Sequence, residues 1–168
     1  TWNLKTPDIP SLAITWLAGC NANPNVLYAV TGEAVGGGKG LVGNGVLKSV
    51  DGGESWIVLP STLGLREYSN IGRVIVDQED EETVIICTTQ GEWETELRSS
   101  IYKSIDGGTT WTEKYNSPVW ISQIVAHPDD FSTIYAAQWW LGVLKSVDKG
   151  ETWFDSSDGM RDLFGRLE

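Results

Sequence analysis

The chain has 168 residues, enough for about one domain, and 40% of them are hydrophobic, including nine tryptophans. Its formal net charge of −11 argues against nucleic acid as a partner, because phosphate binding needs a basic surface. No run of about 18 apolar residues occurs, so the sequence predicts no membrane span. Cys20 and Cys87 form no CxxC pair, and no EF-hand spacing is present, so we expect neither a metal nor a cofactor.

Short β-rich segments separated by turn residues follow one another in three groups. Each group opens with an apolar run, strand A, expected at 12–17, 71–76 and 120–126. Strand B follows at 25–30, 83–88 and 133–137. In the middle group, strands C and D are expected at 101–105 and 111–115. Because no segment has helical periodicity, the sequence predicts an all-β protein built from four-stranded antiparallel units.

One turn sequence, K-S-(V/I)-D-x-G-x-(S/T)-W, occurs three times, each time between strands C and D. Its glycines can adopt the positive φ that tight turns require, and its Asp and Ser side chains can satisfy backbone N–H groups. We therefore expect the repeated residues to have a structural role rather than to bind a ligand. They are Ser49, Asp51, Gly53, Trp56, Ser104, Asp106, Gly108, Trp111, Ser146, Asp148, Gly150 and Trp153.

The repeated turn resembles the Asp-box, or BNR, repeat. The flanking segments 23–33 and 45–49 look most similar to exported bacterial WD40/YVTN/BNR-like proteins, with sortilin-type and xyloglucan-hydrolase propellers as relatives. The resemblance implies an extracellular or cell-surface location. It also implies a partial β-propeller, with three four-stranded antiparallel blades and an orphan outer strand. The resemblance is specific for the fold but says little about the activity, because these families share the turn but not the function.

The repeat also predicts where the blades lie within a single propeller segment. Thr1-Trp2 matches the last two residues of the repeated turn, so residues 1–10 are expected to be the outer strand of a preceding blade. Blades are expected at 11–60, 70–116 and 119–157, with the stub of a next blade at 158–168. Closed propellers have about 4–8 blades, so three leave open edges. Either the remainder of a larger propeller or self-association would cover them.

The B–C and D–A connections should share one face, opposite the repeated turns, and loops on a rigid scaffold commonly carry binding. Tryptophan rings beside carboxylates are suited to stacking on sugars. The candidate ligand-binding residues on this face are Glu33, Trp93, Glu94, Trp120, Trp139 and Trp140. The alternative is that these tryptophans pack between blades or close the central channel; it is favoured for Trp120 and Trp140 and evenly balanced for Trp93 and Trp139.

Catalysis is not expected of this chain by itself. Five arginines and no F/Y-R-I-P signature argue against a sialidase. Where the resemblance to xyloglucan hydrolases implies a catalytic Asp, the chain has only Glu33, whereas glycoside hydrolysis needs a pair of carboxylates. We expect a non-catalytic binding or scaffold module that recognises glycan or protein through the loop face. The alternative is a fragment of a xyloglucanase-like propeller glycoside hydrolase.

Overall fold

The computed structural model describes residues 9, 13–32, 43–63, 65, 68, 70–89 and 99–160. Within these residues there are twelve β-strands and no α-helix. The first sheet contains β1 (Ile14–Gly19), β2 (Leu27–Thr31), β3 (Val46–Ser49) and β4 (Ile57–Val58). The second contains β5 (Ile71–Asp77), β6 (Asp80–Thr89), β7 (Ser99–Ser104) and β8 (Thr112–Ser117). The third contains β9 (Ile121–His127), β10 (Asp130–Gln138), β11 (Gly142–Ser146) and β12 (Phe154–Asp155).

Each sheet is an antiparallel meander in which strands pair in chain order. The expected fold class, all-β with three four-stranded antiparallel units, is therefore confirmed. Nearly every strand end lies one to three residues from the expected position, and the ends beside the second repeated turn are an example. Ile105 lies in the bend of the repeated turn and is exposed, while the fourth strand of the second sheet begins after Trp111, at Thr112. The outer strand expected at 1–10 falls outside the described residues apart from Ile9, and so does the stub beyond Met160.

The core lies between the sheets, and β6 shows how the sequence builds it. Successive side chains of a strand point to opposite faces. Val84 and Ile86 pack in the cluster shared with the first sheet, while Ile85 and Cys87 pack in the cluster shared with the third. All four side chains are fully buried, so β6 is apolar at four consecutive positions, 84–87, rather than at alternate ones.

Two edges of the stacked sheets can be distinguished by the connections they carry. At the turn edge, each repeated turn donates a backbone N–H to the neighbouring A–B turn of its own sheet. These bonds run from Gly52 to Asn25, from Gly107 to Glu82 and from Lys149 to Ser132. At the loop edge, Trp139 N–H donates to the carbonyl of Trp120. In the described part of the chain, no helix is long and apolar enough to cross a membrane.

Candidate functional site

Serine and aspartate side chains hold the backbone of each repeated turn. In the second turn, Ser104 Oγ accepts the N–H of Gly108 at 2.8 Å and donates to Asp106 Oδ1 at 2.8 Å. Asp106 also accepts the N–H and the hydroxyl of Thr110, at 2.8 and 2.6 Å. The same bonds recur around Asp51 and Asp148.

These hydrogen bonds determine the acidity of the three turn aspartates. The hydroxyl that bonds the carboxylate, on Thr110 in the second turn, is the largest cause of the shift, followed by the backbone N–H groups. They lower the pKa of Asp51, Asp106 and Asp148 from 3.8 to about 2. The carboxylates are therefore ionised and bonded inside their own turns.

The tryptophan that ends each repeated turn is partly buried at the turn edge. Trp56 Nε1 and Trp153 Nε1 donate to the carbonyls of Gly53 and Gly150 in their own turns, at 3.2 and 3.1 Å. Trp111 Nε1 instead donates to Ser61 Oγ of the first sheet at 3.3 Å, which links two sheets. Each indole N–H thus has an acceptor within the fold.

At the loop edge, three tryptophans form one tryptophan cluster: Trp120, Trp139 and Trp140. Trp120 precedes β9, and the other two lie in the short connection between β10 and β11. The ring centroids of Trp120 and Trp139 are 5.0 Å apart in an edge-to-face arrangement, and those of Trp139 and Trp140 are 5.8 Å apart. Trp120 is partly buried, whereas Trp139 is 38% exposed and Trp140 is 86% exposed.

Trp140 has an unusual backbone as well as an exposed ring. Its φ is 61°, in the left-handed region that bulky residues seldom adopt. The Trp140 ring is 86% exposed, so it is not packed between the described blades. The packing role favoured for Trp120 agrees with its partly buried indole, whose Nε1 is buried without a hydrogen-bond partner among the described residues. Glu33, Trp93 and Glu94 lie outside the described residues.

A cavity of about 860 Å³ opens at the other edge, between the inner strands β1, β5 and β9 and their A–B turns. Polar and charged residues of its wall include Asn21, Glu79, His127, Asp129 and Lys149. No group of three or more His, Cys, Asp or Glu side chains suited to hold a metal ion occurs within the described ranges. Sequence reasoning missed this cavity because it assigned the turn edge a purely structural role.

A row of side chains crosses the three inner strands beside the cavity. Trp16, Arg73 and Gln123 occupy the same register position in their sheets. The Arg73 guanidinium lies 4.3 Å from the Trp16 ring centroid, and its Nε donates to Gln123 Oε1. Aligning the three A strands through the B strands that pair with them would have revealed this row. Within it, the charged guanidinium of Arg73 has both of its neighbours, Trp16 and Gln123, inside the fold.

No protein-family model and no curated protein matches this sequence. Among solved structures, the GH74 enzyme of Niastella koreensis is 26% identical with a TM-score of 0.58; the match covers 86% of this chain and 23% of that one. The GH74 xyloglucanase of Xanthomonas campestris is 18% identical with a TM-score of 0.58, covering 90% and 24%. YCF48 bound to D1 peptide is 18% identical with a TM-score of 0.56, covering 87% and 41%.

The chain therefore spans less than a quarter of the two GH74 structures and less than half of YCF48. These neighbours are β-propellers. The three four-stranded antiparallel sheets are accordingly the blades of a partial β-propeller.

Proposed function

We propose that the chain is a non-catalytic binding module of an exported, extracellular or cell-surface protein, and that it recognises neutral glycan through its loop edge. The observation that carries the proposal is the pair of exposed rings, Trp139 and Trp140, which contact each other while Trp139 also contacts the partly buried Trp120. An exposed aromatic surface of this kind adds nothing to the core and is suited to stacking on the C–H faces of sugar rings.

Backbone strain at Trp140 supports a binding role. A left-handed conformation costs about 1–2 kcal/mol for a residue with a side chain, and such strain concentrates at ligand sites. A glycine would occupy this position without that cost. The chain instead has a large exposed ring there, supported on one side by Trp139.

The neutrality of the two connections that carry the tryptophan cluster favours a neutral glycan over a charged ligand. Residues 117–122 and 138–143 contain no charged side chain. Their polar groups are serine and glutamine, and Gln138 Nε2 is already bonded to Ser117 Oγ at 2.7 Å. A peptide ligand would need partners for its charged groups, which these two loops lack.

The comparison with the 26% identical GH74 enzyme also favours a carbohydrate. YCF48 has been solved with a D1 peptide, but its 18% identity supports the shared fold alone. Protein recognition is therefore the alternative outcome of the binding test rather than a second proposal.

A fragment of a glycoside hydrolase is the second candidate, favoured by the same 26% identical structure. Hydrolysis needs two suitably placed carboxylates. The residue that the family resemblance offers for one of them, Glu33, lies outside the described residues. Activity on β-glucans and sialosides tests this candidate: hydrolysis by the purified chain would replace the non-catalytic proposal.

A glycan array with three single variants tests the binding proposal. Trp139→Ala and Trp140→Ala each remove an exposed ring of the cluster. Trp16→Ala is the matched control, because Trp16 is 41% exposed, close to the 38% of Trp139, but lies on an inner strand. We expect wild type and Trp16→Ala to bind the same neutral glycans and both cluster variants to lose them. Binding that survives both cluster substitutions would contradict the proposal.

For the repeated turns we propose the structural role, with blades at 11–60, 70–116 and 119–157. The support is that the serine, aspartate and tryptophan polar groups of all three turns are bonded inside the fold. We propose no ligand for them.

A further inference from the structure

Arg73 is a partly buried cation of the second blade that has no carboxylate partner among the described residues. It lies on β5, one of the inner strands, which surround the central channel of a propeller. Together with Trp16 and Gln123 it forms the Arg73 row. The groups that contact its guanidinium are an indole ring, an amide oxygen and the carbonyl of Gly72, and all of them are neutral.

Lysines that connect blades show how the chain balances such charges elsewhere. Lys103, Lys114 and Lys149 each have a carboxylate oxygen within 2.8 Å of their ammonium group. The sequence has 23 acidic residues against 12 basic ones, so carboxylates are abundant. A partly buried charge has lost part of its hydration, and an ion pair is the usual compensation. The absence of such a pair at Arg73 favours a ligand that supplies the negative charge.

The hydrogen bonds of Arg73 leave part of its donor set open. A guanidinium has five N–H groups and no acceptor. Nε donates to Gln123 Oε1, and Nη1 donates to the carbonyl of Gly72 at 2.8 Å. One N–H of Nη1 and both of Nη2 therefore have no acceptor in the described part of the chain. Adjacent N–H groups on Nη1 and Nη2 are parallel, which is the geometry that a carboxylate accepts with both oxygens.

The guanidinium is held in one orientation by the blades on either side of it. Trp16 of the first blade lies 4.3 Å from it, measured to the ring centroid, and Gln123 of the third blade bonds its Nε. An orientation fixed in advance reduces the entropy lost on binding. The Trp16 ring is also 41% exposed, so it offers apolar surface beside the charge. An indole of this kind is suited to packing against the ring of a ligand.

The surrounding charges favour a carboxylate over a phosphate. Trp16 also forms part of the wall of the neighbouring cavity, which contains Lys149 and several acidic residues. The acidic residues are Asp77, Glu79, Asp129 and Asp130. These acids repel a doubly charged phosphate more strongly than a carboxylate, which has a single charge. A single guanidinium also neutralises the charge of a carboxylate completely.

We propose that the Arg73 row is a binding site for a small acid that has a ring beside its carboxylate. The carboxylate would accept the open N–H groups of Arg73, and the ring would pack on the exposed part of Trp16. Sugar acids and aromatic acids share this chemistry. The site lies on the inner strands, whereas Trp139 and Trp140 lie in the connection between β10 and β11, so it does not rest on the glycan proposal.

Titration of the wild-type chain, followed by NMR of the arginine Nε–H groups, tests this inference. The probes are sodium glucuronate, with glucose as its neutral counterpart, and sodium benzoate, with benzyl alcohol as its neutral counterpart. We expect a saturable shift of the Arg73 Nε–H resonance with at least one carboxylate and with neither neutral compound. The carboxylate that binds more tightly distinguishes a sugar acid from an aromatic acid.

Three results of this titration would overturn the inference. They are the absence of a shift with both carboxylates, an equal shift with the neutral counterparts, and tighter binding of inorganic phosphate than of either carboxylate. The titration uses the unmodified chain, so it decides the question even if a variant of Arg73 does not fold.

Arg73→Gln and Lys145→Gln each remove one positive charge. Lys145 is the matched control because it too lies near an aromatic ring, 5.5 Å from the Tyr135 centroid, but on β11 rather than on an inner strand. We expect Arg73→Gln to weaken binding of the preferred carboxylate about tenfold or more, as loss of hydrogen bonds to a charged group does. Lys145→Gln should stay within about twofold of wild type, because salt screens a distant charge. A folded Arg73→Gln that binds as wild type does would overturn the inference.

Discussion

The ammonium group of Lys149 lies 2.8 Å from Asp77 Oδ2 and connects the third blade to the second. Lys149 occupies the turn position held by Gly52 and Gly107 in the other two repeats, and its φ is 58°. The Asp77 side chain is only 2% exposed, while Lys149 is 49% exposed. The ion pair thus offsets the strain of a lysine in the left-handed region by neutralising a buried carboxylate between blades.

Replacing Lys149 with methionine or glycine separates these two effects. Lys149→Met loses the ion pair but keeps the strain, and we expect the free energy of unfolding to fall by about 1–3 kcal/mol, since Asp77 is left without its cation. Lys149→Gly also loses the pair but relieves about 1–2 kcal/mol of strain, so its loss should be smaller. Urea unfolding measures both variants. A glycine variant less stable than the methionine variant would contradict this account of the turn.

The same pair makes stability sensitive to alkali. The hydrogen bond from Lys149 to Asp77, followed by nearby carboxylates, raises the lysine pKa above its ordinary value of 10.5. A raised pKa stabilises the fold fully below the unfolded value and less as pH rises through the folded value. We therefore expect wild type to lose stability above pH 10.5 more steeply than Lys149→Gly. Parallel pH profiles of the melting temperature would contradict this expectation.

The turn aspartates make stability sensitive to acid. Their pKa falls from 3.8 to about 2, so their contribution is complete above pH 3.8 and is lost as pH falls toward 2. Asp106→Asn removes one of these titrations. We expect its unfolding free energy to depend less on pH in that interval than that of wild type, as measured by urea unfolding at successive pH values. An unchanged slope would show that the turn does not stabilise the ionised form.

Glu151 connects two lysines of the second blade to the third repeated turn. Its oxygens lie 2.6 Å from Lys103 Nζ and 2.6 Å from Lys114 Nζ, and Lys103 is 7% exposed. Glu151→Gln leaves a nearly buried ammonium without its counter-charge, so we expect a loss of about 1–3 kcal/mol.

Lys114→Gln is the control for Glu151→Gln. It keeps the buried pair and should cost about 0.2–1 kcal/mol, as exposed ion pairs do. Urea unfolding of the two variants gives the comparison. Equal losses would mean that burial of Lys103 is unimportant.

Trp140→Gly tests whether the exposed ring is retained at the expense of stability. Glycine adopts φ near 61° without strain, while the contact with Trp139 is lost. We expect the free energy of unfolding to stay within about 1 kcal/mol of wild type, or to rise by that amount, because relief of strain offsets the lost contact. Thermal and urea unfolding measure it. A large loss of stability would indicate that Trp140 supports the fold and would weaken its assignment to ligand binding.

Much of the fold follows from the sequence because the repeated turn fixes the order of the strands. Asp106 and its glycines indicate a turn, and the strands on either side of it pair as antiparallel neighbours. The exact strand ends were harder to predict from the sequence. Trp56, Trp111 and Trp153 each lie one residue before the fourth strand of their sheet. The bond from Trp111 to Ser61 of the first blade is a contact between sheets that local sequence does not encode.

The candidate site could be predicted in part, because the repeated turn also fixes which connections share the loop edge. Tryptophans in B–C and D–A connections indicated the loop edge, but only the structure shows that Trp140 has a left-handed backbone and an exposed ring while Trp120 is partly buried. The cavity wall was not foreseen, because Trp16 and His127 come from different blades and meet through the stacking of sheets.

Calorimetric titration with the neutral glycan that binds best on the array tests the central claim most directly. The titration compares wild type, the Trp139→Ala/Trp140→Ala double variant and Trp16→Ala. We predict saturable heat for wild type and Trp16→Ala and none for the folded double variant. Undiminished binding by the double variant would contradict the assignment of the loop edge as the glycan-binding surface.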